Sequence, residues 1–207
     1  AGRTLAATPL VSTVLLCGSA VQLAGNATQR QEILSAIAAG DRIMALALEE
    51  GPHHNPSRIA TRAEADGSSF RISGKKTFVL DGHVAEQLIV VARTSGDVND
   101  RSGITLFLVD PKADGVKVTR THMVDSRNAA NIEFNNVSVP SSAVLGSIDG
   151  ANDGLDQVLD ALPVDEVWMS GSLSNSQTFG RALDAPARCY SIGFDASGYD
   201  EMEYARI

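Results

Sequence analysis

Apolar positions recur every three or four residues between positions 9 and 39, which is the spacing of amphipathic helices. Gly25 interrupts this stretch and predicts the end of a first helix. Asn26, followed three residues later by Gln29, has the pattern of a capping box, so a second helix should begin directly after Asn26. Gly40 is positioned to end that helix. We therefore expect consecutive helices before residue 41.

The pattern changes at Ile43, where short runs typical of strands replace the helical spacing. Some runs alternate apolar and polar residues, as in IATRAEAD and FRISG, and others are continuously apolar, as in LIVVA and ITLFLV. Turn signals such as Asp66–Gly67 separate the runs. The predicted strands are 43–49, 59–65, 69–73, 76–80, 87–94, 103–109, 115–121 and 131–139. Many short strands at this spacing indicate an antiparallel sandwich or barrel.

These patterns divide the chain into helices over 1–40, a β-barrel-like domain over 41–145 and a C-terminal segment over 146–207. The C-terminal segment opens with a short helix at 152–162 and then becomes rich in Ser, Gly and Asp without a clear period, which predicts a loop-rich or poorly ordered end. The predicted fold class is α+β, with N-terminal helices packed on an antiparallel β-barrel or sandwich domain and a short, atypical C-terminal segment.

The 207-residue chain has a net charge of −8 and no basic patch, so nucleic-acid binding is not expected. Polar residues interrupt the apolar segment 1–25, which predicts a buried amphipathic helix rather than a secretory signal. No run reaches the ~18 apolar residues of a membrane span. Cys17 and Cys189 lie far apart without metal or disulfide spacing, so we expect free thiols in a reducing, cytoplasmic compartment. Because the chain starts at Ala, a fragment of a longer protein is a further expectation.

Two motifs suggest chemistry that their context does not support. Ser73 to Lys76 matches S-x-x-K, the nucleophile motif of penicillin-binding-protein-like hydrolases, but it falls in a predicted strand–turn–strand and its companion motifs are missing. A serine hydrolase is therefore only a remote alternative. His53 and His54 are adjacent on one loop and lack the spacing of a zinc site, so no metal is expected.

Four segments occur in an order that resembles the acyl-CoA dehydrogenase family, over about residues 1–160. They read AAGDRIMALALEEG, FRISGKKTFVLDGHVAEQLIVVARTSG, GITLFLVDPKADGVKV and NIEFNNVSVPSSAVLG. The resemblance implies the end of a helical domain, a middle β-domain, and a C-terminal segment unlike the family's four-helix bundle. In the family a carboxylate base removes the α-proton of an acyl-CoA while FAD accepts the β-hydride. FAD, acyl-CoA and homo- or hetero-oligomeric association are therefore implied.

The resemblance also implies which residues form the site. Phe78 keeps the aromatic residue that packs on the flavin, whereas Leu80 replaces a threonine. In a second flavin segment Glu50 matches the usual glutamate and Glu49 replaces another threonine. The implied cofactor-binding residues are Leu48, Glu49, Phe78, Val79, Leu80, Phe179 and Gly180. The implied substrate-binding residues are Glu50, His53, His54 and Asn55, where the loop is bulkier than in the family.

These departures leave two main hypotheses open. The first is a flavoenzyme that oxidises an acyl-CoA at Cα–Cβ. The second is a non-catalytic partner or degenerate fragment that keeps the β-domain as an interaction module and has lost FAD. The substitution of both flavin-facing threonines and the altered C-terminal segment favour the second, and they resemble the small, divergent subunits of some paired acyl-CoA dehydrogenases.

Overall fold

The computed structural model describes residues 8–52, 55–56, 58–122 and 128–151, together with the backbone of strands at 166–170, 188–192 and 205–206. The chain divides into two compact units, Ala1–Leu162 and Pro163–Ile207. Each unit is described by itself. The division into 1–40, 41–145 and 146–207 stays a prediction.

The predicted helices are confirmed. Helix α1 spans Leu10–Gly18 as a π-helical stretch and continues into α2, Ser19–Ala24. Helix α3 spans Ala27–Ala39 and begins with the predicted capping box, in which the Gln29 amide nitrogen lies 2.9 Å from Asn26 Oδ1 and the Asn26 amide nitrogen lies 3.0 Å from Gln29 Oε1. Gly40 ends it in the left-handed conformation, with φ of 81°.

One sheet of eight strands forms the body of the first unit, in the order β6-β7-β3-β2-β4-β5-β8 with β1 paired to β4. The strands are β1 Met44–Ala47, β2 Arg62–Asp66, β3 Ser69–Leu80, β4 Gln87–Arg93, β5 Ile104–Val109, β6 Val116–His122, β7 Asn128–Pro140 and β8 Val144–Leu145, the last preceded by a 3₁₀ turn at Ser141–Ala143. Most neighbours are antiparallel, but β1 and β2 pair with β4 in parallel.

The α+β class is therefore confirmed, whereas the closed barrel or sandwich is replaced by an open sheet. The composition of β6 explains why the sheet can end at this strand. Its residues are at most half-buried, and polar side chains such as Lys117 and Arg120 point to solvent. A polar edge strand can end a sheet without exposing an apolar surface, so no closure is required.

The predicted break between strands 69–73 and 76–80 is wrong, because β3 is one twelve-residue strand. It pairs with β7 through two register shifts, one between Ile72 and Gly74 and one between Lys76 and Val79. Gly74 is present for a close approach and not for a turn. A Cβ atom there would lie 2.6 Å from the Cα atom of Thr61. In the sequence, such a glycine is indistinguishable from a turn signal.

Strand β4 is the centre of the core, as its continuously apolar sequence predicts. Leu88 and Val90 belong to one buried cluster, and Ile89 and Val91 belong to another on the opposite face. The first cluster includes the rings of Phe70 (β3) and Phe107 (β5), whose centroids are 5.1 Å apart in an edge-to-face contact. Because β3 and β5 are not neighbours in the sheet, it must curve round this cluster.

The helices pack on the second cluster, as predicted, and buried polar contacts fix them there. Thr13 Oγ1 donates to Met44 O at 2.9 Å and accepts from Met44 N at 3.0 Å. Ser12 Oγ donates to Asp81 Oδ2 at 2.6 Å. Because Ser12 and Thr13 point into the protein, the opposite face of α1 exposes apolar side chains to solvent. The exposed apolar side chains of α1 are Leu10, Val11, Val14 and Leu15.

The second unit contains three strands that the sequence did not predict: β9 Glu166–Ser170, β10 Arg188–Ile192 and β11 Ala205–Arg206. β10 pairs in parallel with β9 and antiparallel with β11. The helix predicted at 152–162 lies outside the described residues. Within the described part of the chain, every helix is too short or too polar to cross a membrane.

Candidate functional site

The two predicted flavin segments lie side by side. The Thr77 amide donates to the carbonyl of Glu49 at 2.7 Å, and the Thr77 hydroxyl donates to the carbonyl of Gly51 at 3.2 Å. These contacts place the turn after β1 directly against the C-terminal part of β3, next to Phe78. The chain positions of the two segments are almost thirty residues apart, so the sheet brings them together. We call Leu48–Gly51 together with Thr77–Phe78 the candidate flavin wall.

Phe78 is the most unusual residue of this wall. It is 51% exposed, although it is a large aromatic, and it lies near the end of β3 at the second register shift. Its φ is 51°, in the left-handed region that bulky residues rarely adopt. The Asn131 side chain accepts from the Phe78 amide at 3.2 Å and helps to hold this conformation. Such strain costs about 1–3 kcal/mol and clusters at binding sites. An exposed ring held in this way fits a flat aromatic ligand such as the flavin ring.

The side chains of the two residues that follow Phe78 are less exposed than the Phe78 ring. Val79 is buried in the core, with 1% of its surface exposed, and pairs with Ala130. Leu80 is half-buried and pairs with Ala129. Any contact that Val79 makes with a ligand would therefore use its backbone. The remaining predicted positions Phe179, Gly180, His53 and His54 lie outside the described residues.

Glu49 and Asn55, predicted for cofactor and substrate respectively, are brought into contact. The Asn55 amide donates to Glu49 Oε2 at 3.1 Å. This contact places Asn55 at the edge of the candidate flavin wall.

Glu50, predicted to contact substrate, has its carboxylate directed into the protein, with 6% of its side chain exposed. Lys76 Nζ, which is fully buried, lies 2.7 Å from Glu50 Oε1 and 3.0 Å from the carbonyl oxygen of Leu48. The amides of Ala60 and Thr61 donate to the same carboxylate at 2.5 and 2.9 Å. Glu50 is therefore part of a buried ion pair, which completes its hydrogen bonding from within the chain.

The environment shifts the pKa values of both partners. Burial lowers the pKa of Lys76 to about 8, and the neighbouring Glu50 and Glu49 carboxylates oppose that shift. For Glu50, burial acts to raise the pKa, but the Lys76 charge and the hydrogen bonds it accepts outweigh burial and lower the pKa overall. The pair is therefore ionised near neutral pH.

Arg93, at the end of β4, is a second fully buried cation. Among the described residues, its guanidinium donates to five carbonyl oxygens, at distances from 2.8 to 3.2 Å. The acceptors are those of Ile59, Ser95, Val98, Asp100 and Ser102. The backbone amide of Arg93 also donates to the carbonyl of Thr61 at 2.8 Å. Arg93 thus holds the loop 95–103 and the segment that binds Glu50.

Lys76 and Arg93 were not among the predicted site residues. A signal existed for Lys76, since the alternation along β3 that buries Phe70 and Ile72 also points position 76 inward. A signal for Arg93 is weaker, because a charged residue after a continuous apolar run usually marks the solvated end of a strand.

The S-x-x-K motif gains no support. Ser73 and Lys76 lie on a strand and not on a helix turn, and the Ser73 hydroxyl accepts from the Asn136 amide at 3.1 Å. Lys76 is already bonded to Glu50 and Leu48. The geometry needed for a lysine base next to a serine nucleophile is therefore missing.

Comparison with known proteins places the β-domain in a known family. Residues 46–137 match the family model described as the acyl-CoA dehydrogenase middle domain. A 3-(aryl)acrylate reductase from Clostridium sporogenes is 30% identical over 65% of this chain and 36% of its own length. The mitochondrial long-chain specific acyl-CoA dehydrogenase of Sus scrofa is 30% identical over 70% of this chain and 34% of its own length. The chain thus spans about a third of these curated relatives.

Among solved structures, a glutaryl-CoA dehydrogenase from Mycobacterium smegmatis, in complex with FADH2, superposes with a TM-score of 0.64 and 27% identity. That match covers 72% of this chain and 38% of the other. Residues 46–137 of this chain therefore belong to the acyl-CoA dehydrogenase family as its middle domain.

Proposed function

We propose that this chain supplies the flavin-facing β-domain of an FAD-dependent enzyme that oxidises an acyl-CoA thioester between Cα and Cβ. The observation that carries the proposal is Phe78, an exposed aromatic ring held at positive φ beside the turn after β1. Family membership supports the same reading. FAD, when bound, supplies the acceptor for the hydride that leaves Cβ.

The residues of the candidate site have separate roles in this proposal. Phe78 offers its ring face to the flavin, and the backbone of Glu49 and Gly51, held by Thr77, lines the wall beside it. Asn55, bonded to Glu49 at the edge of the wall, faces the acyl-CoA. Because the Glu50 carboxylate is bonded to Lys76 and to backbone amides, we assign it to holding the wall and not to removing the α-proton.

Flavin binding by Phe78 variants tests the proposal. We expect Phe78→Ala to weaken FAD binding about tenfold, because aromatic stacking contributes about 0.5–1.5 kcal/mol beyond buried area. Phe78→Tyr keeps the ring and should bind as the wild type does. Val84→Ala, at another exposed apolar position, is the matched control. Flavin fluorescence titration measures all four proteins. The proposal fails when the wild type retains no flavin, or when Phe78→Ala binds as tightly as Val84→Ala.

The second candidate, a non-catalytic partner in a homo- or hetero-oligomer, is favoured by the apolar residues exposed on α1. Its test is the oligomeric state of the wild type and of Leu15→Ser in analytical ultracentrifugation. Dissociation by Leu15→Ser in a protein that binds no flavin would support this candidate. A cytoplasmic location stays a prediction for both candidates. Cys17 is a free thiol whose pKa is raised by burial, so it stays unreactive.

A further inference from the structure

Lys76 joins two parts of the candidate flavin wall through one buried atom. Its Nζ donates to the carbonyl of Leu48, the residue that follows the last residue of β1, and to the carboxylate of Glu50. Two residues further along the same strand, Phe78 projects into solvent. We propose that Lys76 is a positioning residue, whose buried ammonium fixes the turn after β1 against β3 and so sets the distance between the two flavin segments.

The choice of a lysine at this place argues for positioning. The inward neighbours on β3, Ile72 and Val79, are apolar and fully buried. An apolar side chain at position 76 would continue that pattern, whereas an ammonium must be desolvated, and a buried ion pair is often no more stable than an apolar replacement. What an apolar residue cannot do is bond the Leu48 carbonyl and the Glu50 carboxylate at once. The buried lysine is therefore useful here because it makes these two directional hydrogen bonds.

We call the bonds of Lys76 to Leu48 and Glu50 the lock, and further contacts of Glu50 and Thr77 extend it. Glu50 accepts from the amides of Ala60 and Thr61, so its carboxylate ties the turn after β1 to the segment before β2. The Thr77 amide, one residue after Lys76, donates to the carbonyl of Glu49. These amide groups are reporters of the lock, because each is protected by an acceptor that Lys76 holds directly or through its neighbour.

The charge of Lys76 responds to alkaline pH. Burial lowers its pKa to about 8, and the carboxylates of Glu50 and Glu49 at the end of β1 oppose that shift. Arg93, at the end of β4, is a further charged group near Glu50, and it stays protonated throughout this range. Above pH 8 the neutral amine loses its charge-assisted bonds to Glu50 and the Leu48 carbonyl. The lock should therefore loosen between pH 7 and pH 9.5.

Amide hydrogen exchange in the flavin-free protein tests the lock without depending on the proposed function. We expect Lys76→Met to speed exchange at Ala60, Thr61 and Thr77 at least tenfold more than at Phe107, an amide of β5 outside the lock. Lys75→Met removes an exposed lysine at the adjacent position and should leave this ratio unchanged. A purely structural role would accelerate exchange at all four amides by one common factor, and that result would overturn the proposal.

If Lys76→Met does not fold, a second measurement, on the wild type alone, tests the proposal. In the wild type, exchange at the amides of Ala60 and Thr61 should rise relative to Phe107 between pH 7 and pH 9.5, after correction for base-catalysed intrinsic exchange. A constant ratio would overturn the proposal.

The importance of the lock for flavin rests on the proposed function, and a separate titration reports it. Lys76→Met should weaken FAD binding at least tenfold relative to Lys75→Met. A wild type that shows the exchange ratio but binds no flavin would sink the proposed function and leave the lock standing. A wild type that binds flavin, with no change of exchange ratio in Lys76→Met, would do the reverse.

Discussion

Two regions of the sheet are each organised round a fully buried cation, and they solve the problem of burial differently. At the candidate flavin wall, the Lys76 ammonium pairs with one carboxylate and one carbonyl. At the far end of β4, the Arg93 guanidinium distributes its charge over five carbonyl oxygens. The segment Ile59–Thr61 belongs to both regions, because its carbonyls accept from Arg93 and its amides bind Glu50.

The difference teaches which region can respond to its surroundings. A guanidinium does not deprotonate at any ordinary pH, and its planar fork of donors suits several backbone acceptors at once. The Arg93 region is therefore a fixed scaffold. An ammonium beside a carboxylate titrates, and burial has moved the pKa of Lys76 to about 8. The titratable region is the one that lies next to the exposed Phe78.

The largest effect should come from the Arg93 region. Arg93→Met leaves buried carbonyl groups without donors, and each unsatisfied group costs about 1–3 kcal/mol. We expect a loss of at least about 4 kcal/mol in the free energy of unfolding, measured by urea denaturation, with little change between pH 5 and pH 9. Arg71→Met, at an exposed ion pair with Asp66, is the control and should lose less than about 1 kcal/mol. Equal losses in both variants would contradict the scaffold interpretation.

In the Lys76 region we expect a smaller loss that depends on pH. Lys76→Met leaves the Glu50 carboxylate buried without a counter-ion and should cost about 3 kcal/mol at neutral pH. In the wild type the folded-state pKa of Glu50 is lowered, so its contribution to stability is present above the ordinary value of 4.5 and is lost as pH falls through the folded value.

In Lys76→Met the contribution of Glu50 to stability should depend on pH in the opposite direction. Burial without the ammonium raises the folded-state pKa of Glu50 above its unfolded value, so the folded state binds more protons and stability falls as pH rises from 5 to 8. Urea denaturation at both pH values should therefore show a narrower gap to the wild type at pH 5. Adding Glu50→Gln to Lys76→Met should remove this slope. A gap that is equal at both pH values would contradict the assignment.

Gly74 tests the segment shared by the two regions. Gly74→Ala would place a Cβ atom 2.6 Å from the Cα atom of Thr61, so Thr61 must move away from both Glu50 and Arg93. We expect a loss of about 2 kcal/mol, which is typical of overpacking. Gly51→Ala, where an added Cβ meets no atom within 4 Å, is the control and should change stability by less than about 1 kcal/mol. Thermal or urea denaturation of the pair measures the difference.

The smallest effect concerns strain at Phe78. Phe78→Gly and Phe78→Ala both remove the ring, but only glycine adopts a φ of 51° without strain. We expect Phe78→Gly to be about 1 kcal/mol more stable than Phe78→Ala. At Thr77, where φ is not positive, the order should reverse, with the glycine variant less stable than the alanine variant. The same order at both positions would remove the argument that Phe78 is strained.

Much of the candidate site could be predicted from the sequence because its residues sit in contiguous, recognisable segments. Phe78, Glu49 and Asn55 were named in advance. The structure brings the segments of Phe78 and Glu49 side by side and bonds Asn55 to Glu49, whereas their roles toward a ligand stay predictions. The role of Glu50 in the buried pair was not predicted. A carboxylate after a strand has the same local pattern whether it faces water or a buried lysine, and only its partner twenty-six residues away decides between them.

Local patterns in the sequence were enough to predict the helices, most strand positions and the apolar character of β4. Those features depend on local periodicity, capping and turn residues, which are written within a few neighbouring positions. The folded chain was needed to show that β3 continues through Gly74, that the sheet stays open, and that Lys76 and Arg93 are buried. Each of these depends on contacts between residues distant in the chain, where long-range pairing, desolvation and close approach outweigh local preference.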